Sequence, residues 1–321
     1  MGLLRFFGKR IIAILITIAL VLGVGYLLMR LAPGSFFSSA TIAGQMGQLA
    51  VSDPKLYHQY IQTFEDRYGL NQPLGEQTLK YIWNSITFQF GNSFENPSVT
   101  IMSQLETAFP ISALLAGGSV VLSILVGIPL GVLAALKRNT WIDSTLTTLS
   151  MIGLAIPSFV LAVILVLLFG VVFSGALPVN GWGQPADAIL PIVALSAGSI
   201  GVVTRYMRGS LIEALRQPYM RTAEAKGVHY WPLIIRHAMR NSLTALITVI
   251  GPTFAFTVVG TVWVENIFSI PGLGSLMSPA FQADDIPLSM TSIFILSLLV
   301  MGVNLLVDFL YGMLDPRIKL E

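Results

Sequence analysis

A chain of 321 residues that is 54% hydrophobic and only 11% charged cannot build an aqueous surface, for which soluble domains use about 25% charged residues. It is expected to be an all-α integral membrane protein, and its net charge of +2 argues against a nucleic-acid partner, which requires concentrated positive surface. With no cysteine, and three scattered histidines at His58, His229 and His237, there are no disulfides, thiolate nucleophiles or Cys-rich metal sites, and nothing suggests a metal centre.

The first ten residues, MGLLRFFGKR, are a basic cap on an apolar run at 11–31. That run is too long for a signal-peptide core and no small-residue cleavage site follows, so it reads as a retained first spanning helix. The segment 32–108 is too polar from Pro33 to Ala108 to enter lipid. Within it Asp53-Pro54 is a helix start, an N-cap acid followed by proline at the first helical position. Leu56, Tyr57, Tyr60, Ile61, Phe64 and Tyr68 form one apolar stripe that Gly69 can close. Leu79, Ile82, Trp83, Ile86 and Phe90 form a second stripe after Pro73. These stripes predict a small helical domain packed on the membrane part, or else an amphipathic hairpin lying in the interface.

Five further runs approach the roughly 20 residues needed to cross hydrocarbon, at 109–136, 142–172, 187–206, 241–263 and 287–311. The second span contains Gly127-Ile128-Pro129-Leu130-Gly131, a small-xxx-small pair read as a packing face with a kink. The fourth is short and rich in Gly, Ala and Ser, which suits helix packing more than lipid contact. Outer and inner connections are then 264–286 and 207–240, and 312–321 is the tail. With the N-terminus inside, 14 of the 18 Lys and Arg fall on the cytoplasmic side, leaving Arg30, Lys55, Arg67 and Lys80 outside. The positive-inside rule therefore places both termini in the cytoplasm.

Catalytic chemistry is not in evidence. No H-E-x-x-H, no G-x-S-x-G and no acid pair at helical spacing occurs within a span. Asp308 lies inside a hydrophobic stretch and is a functional candidate on that ground, but its closeness to Asp315 and Arg317 points to a polar contact at a helix end. Gly8-Lys9-Arg10 lacks the spacing and the following Ser or Thr of a phosphate loop. ATP-driven transport would have to take its hydrolysis from another chain.

The inner connection is the informative segment. Gln217-Pro218 breaks the chain, Tyr219 to Lys226 gives about two turns of helix, and Gly227 can terminate it. Trp231-Pro232 can start a second helix leading into the fifth span. Aromatic and small residues (Tyr219, Met220, Ala223) sit among charges (Arg221, Glu224, Lys226). Two readings stand side by side: a helix that plugs into a groove on a soluble partner, or one held on the inner leaflet by anionic lipid.

RTAEAKG at 221–227, nine residues, then HAMRNSL at 237–243 resembles the cytoplasmic signature of ABC-importer permease subunits, in the form of the oligopeptide, dipeptide and nickel branch (OppB/DppB-type). Arg221-Thr222-Ala223 stands where other branches have Glu-Ala-Ala, and His237-Ala238-Met239-Arg240 where they have Ile-x-Leu-Pro. MRLAPGS at 29–35 is also similar to a family segment, with Ser35 replacing the usual Asp or Asn. YGLNQPLGEQ at 68–77, IPSF at 156–159, LPVNG at 177–181, ENIFSIPGLG at 265–274 and NLLVDFLYGMLDPRIK at 304–319 follow in family order.

The resemblance implies a type I importer permease of six transmembrane helices with a helical extracytoplasmic insert between the first two. It implies that Tyr219, Met220, Arg221, Thr222, Ala223, Glu224, Ala225, Lys226 and Gly227 form a coupling helix docked on a cytoplasmic ATPase. Expected partners are two ATPase subunits carrying ATP and Mg, a second, C-type permease and an extracytoplasmic solute-binding protein. The solute is expected to be a peptide, and this chain is expected to hold no cofactor and no catalytic residue. A secondary transporter driven by an ion gradient is the alternative; it would need intramembrane ionisable groups and an internal repeat.

Overall fold

The computed structural model describes residues 2–31, 50–96 and 98–314. Along them run helices α1 (Gly2–Leu31), α2 (Pro54–Tyr68), α3 (Leu74–Ile86), α4 (Ile101–Leu136), α5 (Trp141–Ala155), α6 (Ser158–Leu167), α7 (Ile189–Leu215), α8 (Pro218–Ala225), α9 (Met239–Ile267), α10 (Leu273–Gln282) and α11 (Ile286–Leu314). Wider π turns extend α6 over Leu168–Val172 and precede α9 over Leu233–Ala238. Among the described residues β pairing is limited to a bridge between Asn92 and Thr100.

Among the described residues four segments are long and apolar enough to cross a bilayer: Gly8–Leu31, Ile101–Leu136, Pro185–Leu215 and Ile286–Val307. The run expected as one span over 142–172 is two helices, Trp141–Ala155 and Ser158–Val172, bent by 98°, and makes a fifth crossing if the pair is one span. The cause is Pro157. It has no N–H to give the preceding turn and disfavours helical backbone at the residue before it; Ile156 accordingly takes φ −85°, ψ 117°. The run expected at 241–263 lies inside α9, a helix of 29 residues carrying Pro252. A short helix, α10, occupies part of the expected 264–286 loop.

The chain divides into two compact units, one centred on Ile111–Pro271 and the other on Phe7–Pro110 with Gly272–Leu298. In the first, α7 is the central helix and packs on α5, α6 and α9. Half of its apolar window is buried (50%), against 17%, 33% and 22% for the other three, so its small residues are used for packing. A Cβ on Gly201 would lie 2.3 Å from the Ser150 carbonyl oxygen, and one on Gly153 would lie 2.9 Å from that of Ala197. Helices α5 and α7 therefore touch backbone to backbone. Gly127 and Gly131 of α4 form the expected packing face, since a Cβ on either would come within 2.7 Å of Val203 or Thr204 of α7. Two apolar clusters lie along α7. One gathers Leu190 and Leu195 with Ala162, Val264 and Phe268, the other Met207 and Leu211 with Met220, Leu233 and Leu246.

In the second unit α2 forms as its sequence dictates. The Asp53 carboxylate accepts the Leu56 N–H at 3.1 Å, and Gly69 closes the helix at φ +68°. Helix α3 divides the expected stripe: Phe90, just past its end, is buried and Ile82 half-buried. Leu79 and Trp83 of its apolar stripe are 70% and 68% exposed, while Gln77 and Ser85 are buried. The Tyr26 hydroxyl of α1 donates to Gln77 Oε1 at 2.9 Å, and the Tyr26 and Tyr81 rings stack at 5.3 Å. A buried polar side chain is costly unless it is paired, and Gln77 is paired at both ends, its Nε2 donating to Leu70 O at 2.9 Å and Gln72 O at 2.6 Å. Asp285, fully buried, accepts the Leu288 N–H at 3.2 Å at the start of α11 and the Ser93 hydroxyl.

Candidate functional site

Helix α8 hangs on α7 by a two-residue turn. Gln217 is extended (φ −69°, ψ 148°) and Pro218 occupies the first helical position, where its missing N–H costs nothing. Its far end is closed by two bonds: Gly227 N–H to Glu224 O at 2.9 Å and Val228 N–H to Ala223 O at 3.2 Å. With Gly227 at φ +82°, this is a Schellman stop, and only glycine takes that backbone without strain. Met220 is 4% exposed and lies in the cluster of Met207, Leu211 and Leu233, with Ala223 and Val228 packed against it.

The expected docking residues therefore divide. Tyr219, Arg221, Thr222, Glu224, Ala225, Lys226 and Gly227 are exposed, Ala223 is half-buried, and Met220 is inside. Met220 seats the helix and has no surface to offer another chain. The Tyr219 hydroxyl accepts Asn241 Nδ2 at 2.8 Å, which ties α8 to the first turn of α9. Beyond Gly227 the expected helix start at Trp231-Pro232 is a turn over Tyr230–Pro232. It continues without a break through the π turns into α9. Leu233 and Ile234 point into the core, whereas Trp231 and Ile235 stay exposed. The Ser210 hydroxyl donates to Ser242 O at 3.3 Å, a polar link between α7 and α9.

Three polar features escaped the sequence reading. Asp143 in the first turn of α5 is buried and takes a two-point contact from Arg208 of α7, Nε to Oδ1 at 2.5 Å and Nη2 to Oδ2 at 2.7 Å. Glu265, in the last turn of α9, is fully buried and accepts the Ser112 hydroxyl at 2.6 Å. Gly181 N–H donates to Phe268 O at 3.0 Å, which joins the LPVNG and ENIFS segments. A cavity of about 360 Å³ lies beside the bend, lined by Pro157, Ser158, Ser199, Thr253, Phe256 and Thr257 among others. Among the described residues no group of three His, Asp or Glu is placed to hold a metal. The contact expected between Asp308, Asp315 and Arg317 lies outside the described residues.

Helices apolar and long enough to cross a bilayer, a small-residue helix α7 buried among α5, α6 and α9, and the exposed helix α8 define a multi-pass membrane protein with an exposed connection between two of its long helices. Residues 127–320 match the family described as binding-protein-dependent transport system inner membrane component, and the chain belongs to that family. It is 35% identical over 317 residues to the dipeptide transport system permease protein DppB of Bacillus subtilis (strain 168), covering 99% of this chain and 98% of the relative. To the oligopeptide transport system permease protein OppB of Haemophilus influenzae it is 34% identical over 319 residues, covering 99% and 100%. Its fold is similar to a chain of the inward-facing MetNI methionine ABC transporter, with TM-score 0.55 and 18% identity over 67% of this chain and 97% of that one. The chain is thus an ABC-importer permease of the inner membrane, and not itself an enzyme.

Proposed function

We propose that this permease carries peptides and that α8 is its coupling helix, the element on which a cytoplasmic ATPase subunit docks. The observation that carries the docking reading is the division of α8: Met220 is buried and anchors the helix, while Arg221, Glu224 and Lys226 around it are exposed. A helix held so rigidly by its own chain transmits a push instead of absorbing it. Peptide transport is supported by relatives that match along almost the whole chain and bear dipeptide and oligopeptide names.

In this reading the chain crosses the membrane six times with both ends cytoplasmic, as the distribution of Lys and Arg supports. A second, C-type permease completes the pathway, an extracytoplasmic binding protein delivers the peptide, and two ATPase subunits hold ATP and Mg. Binding and closure of those subunits shift the permease pair between inward- and outward-open states. The test is the reconstituted complex with E224K. The exposed charge reversal should leave membrane insertion and thermal stability unchanged and should disconnect ATP hydrolysis from peptide uptake. A stable E224K complex with wild-type uptake and wild-type ATPase stimulation would sink the docking assignment.

A further inference from the structure

The Asp143–Arg208 pair is more elaborate than a charge balance requires. Besides the two-point contact with Arg208, the Asp143 carboxylate accepts the Asn139 N–H at 2.9 Å and the Thr147 hydroxyl at 3.3 Å. One side chain thus fixes the turn between α4 and α5, the first turn of α5 and the second half of α7. Arg208 stands roughly two turns before α7 ends at Leu215 and hands over to α8. Further along, Gly153 of α5 and Gly201 of α7 bring the two backbones into contact. Past Ala155 comes the 98° bend and the cavity beside it.

We propose that Asp143 and Arg208 are positioning residues of the transport cycle, clamping α5 to α7 so that movement of α8 reaches the bend at Pro157. The inference rests on the reading of α8 as the docking helix. Stability alone is a poor reason for the arrangement, because well-packed apolar residues usually replace a buried ion pair without loss. What the pair adds is direction. A guanidinium fork on a carboxylate fixes distance and angle together, which a lysine or an apolar contact does not.

The experiment uses the whole complex with three variants, R208K, R208Q and the double variant D143N/R208Q. R208Q leaves a buried carboxylate without its counter-charge and should lower stability. D143N/R208Q removes both charges and should recover the wild-type thermal midpoint. Peptide uptake per ATP hydrolysed should nevertheless stay about tenfold down in the double variant, the scale of losing a charge-assisted contact, and R208K should fall between. Because the chain has no cysteine, it can be labelled at Phe159→Cys alone before assembly with the other subunits, and the fluorophore then reports the start of α6. Its ATP-dependent signal should be present in the wild type and lost in the stable double variant. If uptake and the Phe159→Cys signal return together with stability, the pair is structural only and the proposal is overturned. The docking reading fails separately, when the E224K complex remains fully coupled.

Discussion

Under the proposed docking of α8, replacing Gly227 isolates what a helix stop contributes to coupling. The residue sits at φ +82°, and a Cβ built there meets no atom within 4 Å, so any effect of a side chain acts through the backbone. Left-handed backbone costs an ordinary L-residue about 1–2 kcal/mol, which is a factor of roughly 5 to 30 in the population of the closed stop. Asn tolerates the conformation better than Ala, and a β-branched residue tolerates it worst. The expected order of coupled activity is therefore Gly, Asn, Ala, Val. Proline goes further, since it fixes φ near −65° and removes the N–H that bonds Glu224 O at 2.9 Å.

Two measurements check the series in the reconstituted complex. Peptide-stimulated ATPase should fall in that order while insertion and the amount of assembled complex stay constant. Hydrogen exchange at the Val228 amide should accelerate in parallel, because that amide is held by Ala223 O. A G227V or G227P complex with wild-type uptake and a protected Val228 amide would refute the reasoning, as the left-handed stop would then not be what holds α8.

Two further substitutions separate anchor from surface. M220A removes a side chain that is 4% exposed and should cost about 2–5 kcal/mol, seen as a lowered thermal midpoint in detergent, whereas E224K on the outer face leaves that midpoint in place. G201A and G209A make the same chemical change on one helix with opposite signs. At Gly201 the new Cβ would lie 2.3 Å from a backbone oxygen of α5, so the helices must part at the upper end of the roughly 1–3 kcal/mol of overpacking, or beyond it. At Gly209 nothing lies within 4 Å, and the gain in helix propensity of about 0.5–1 kcal/mol should raise the midpoint. Equal shifts for the two would mean that α5 and α7 do not touch as described.

What could be read from the sequence was what is local. The start of α2 at Asp53-Pro54, its stop at Gly69 and the stop of α8 at Gly227 are decided by residues within one turn of one another, and all three form. The small residues of α7 also announced its packing role. Face and partner were another matter. Periodicity tells which residues of α3 lie together, but not which of them a neighbour covers: Phe90 of the stripe is buried, Leu79 and Trp83 are exposed, and Gln77 and Ser85 are inside. In α8 the same ambiguity hid Met220, whose burial depends on Met207 and Leu233 arriving from other helices. Asp143 and Arg208 lie 65 positions apart, and no spacing rule joins them. Pro157 was visible, yet an uninterrupted run of apolar residues outweighed it.

Rigidity in the larger unit is unevenly distributed, and the distribution follows the sequence. From Asp143 to Gly153, α5 is fastened to α7 by an ion pair at one end and glycine contacts along its length. After Pro157 the chain starts a new helix whose first turn borders the cavity at Ser158 before Ala162 enters the core beside Leu195 and Val264. Local freedom in a protein is greatest where buried contacts are fewest, and between the fastened stretch of α5 and the packed part of α6 that place is the bend at Ile156-Pro157 with the cavity beside it. The cavity wall suits that position. Ser199 and Thr257 share a hydroxyl contact at 3.2 Å, and none of the lining side chains is charged. In the proposed cycle a bend lined by hydroxyls and apolar groups opens and closes without breaking an ion pair, and the Asp143–Arg208 pair lies on the α5–α7 side of it.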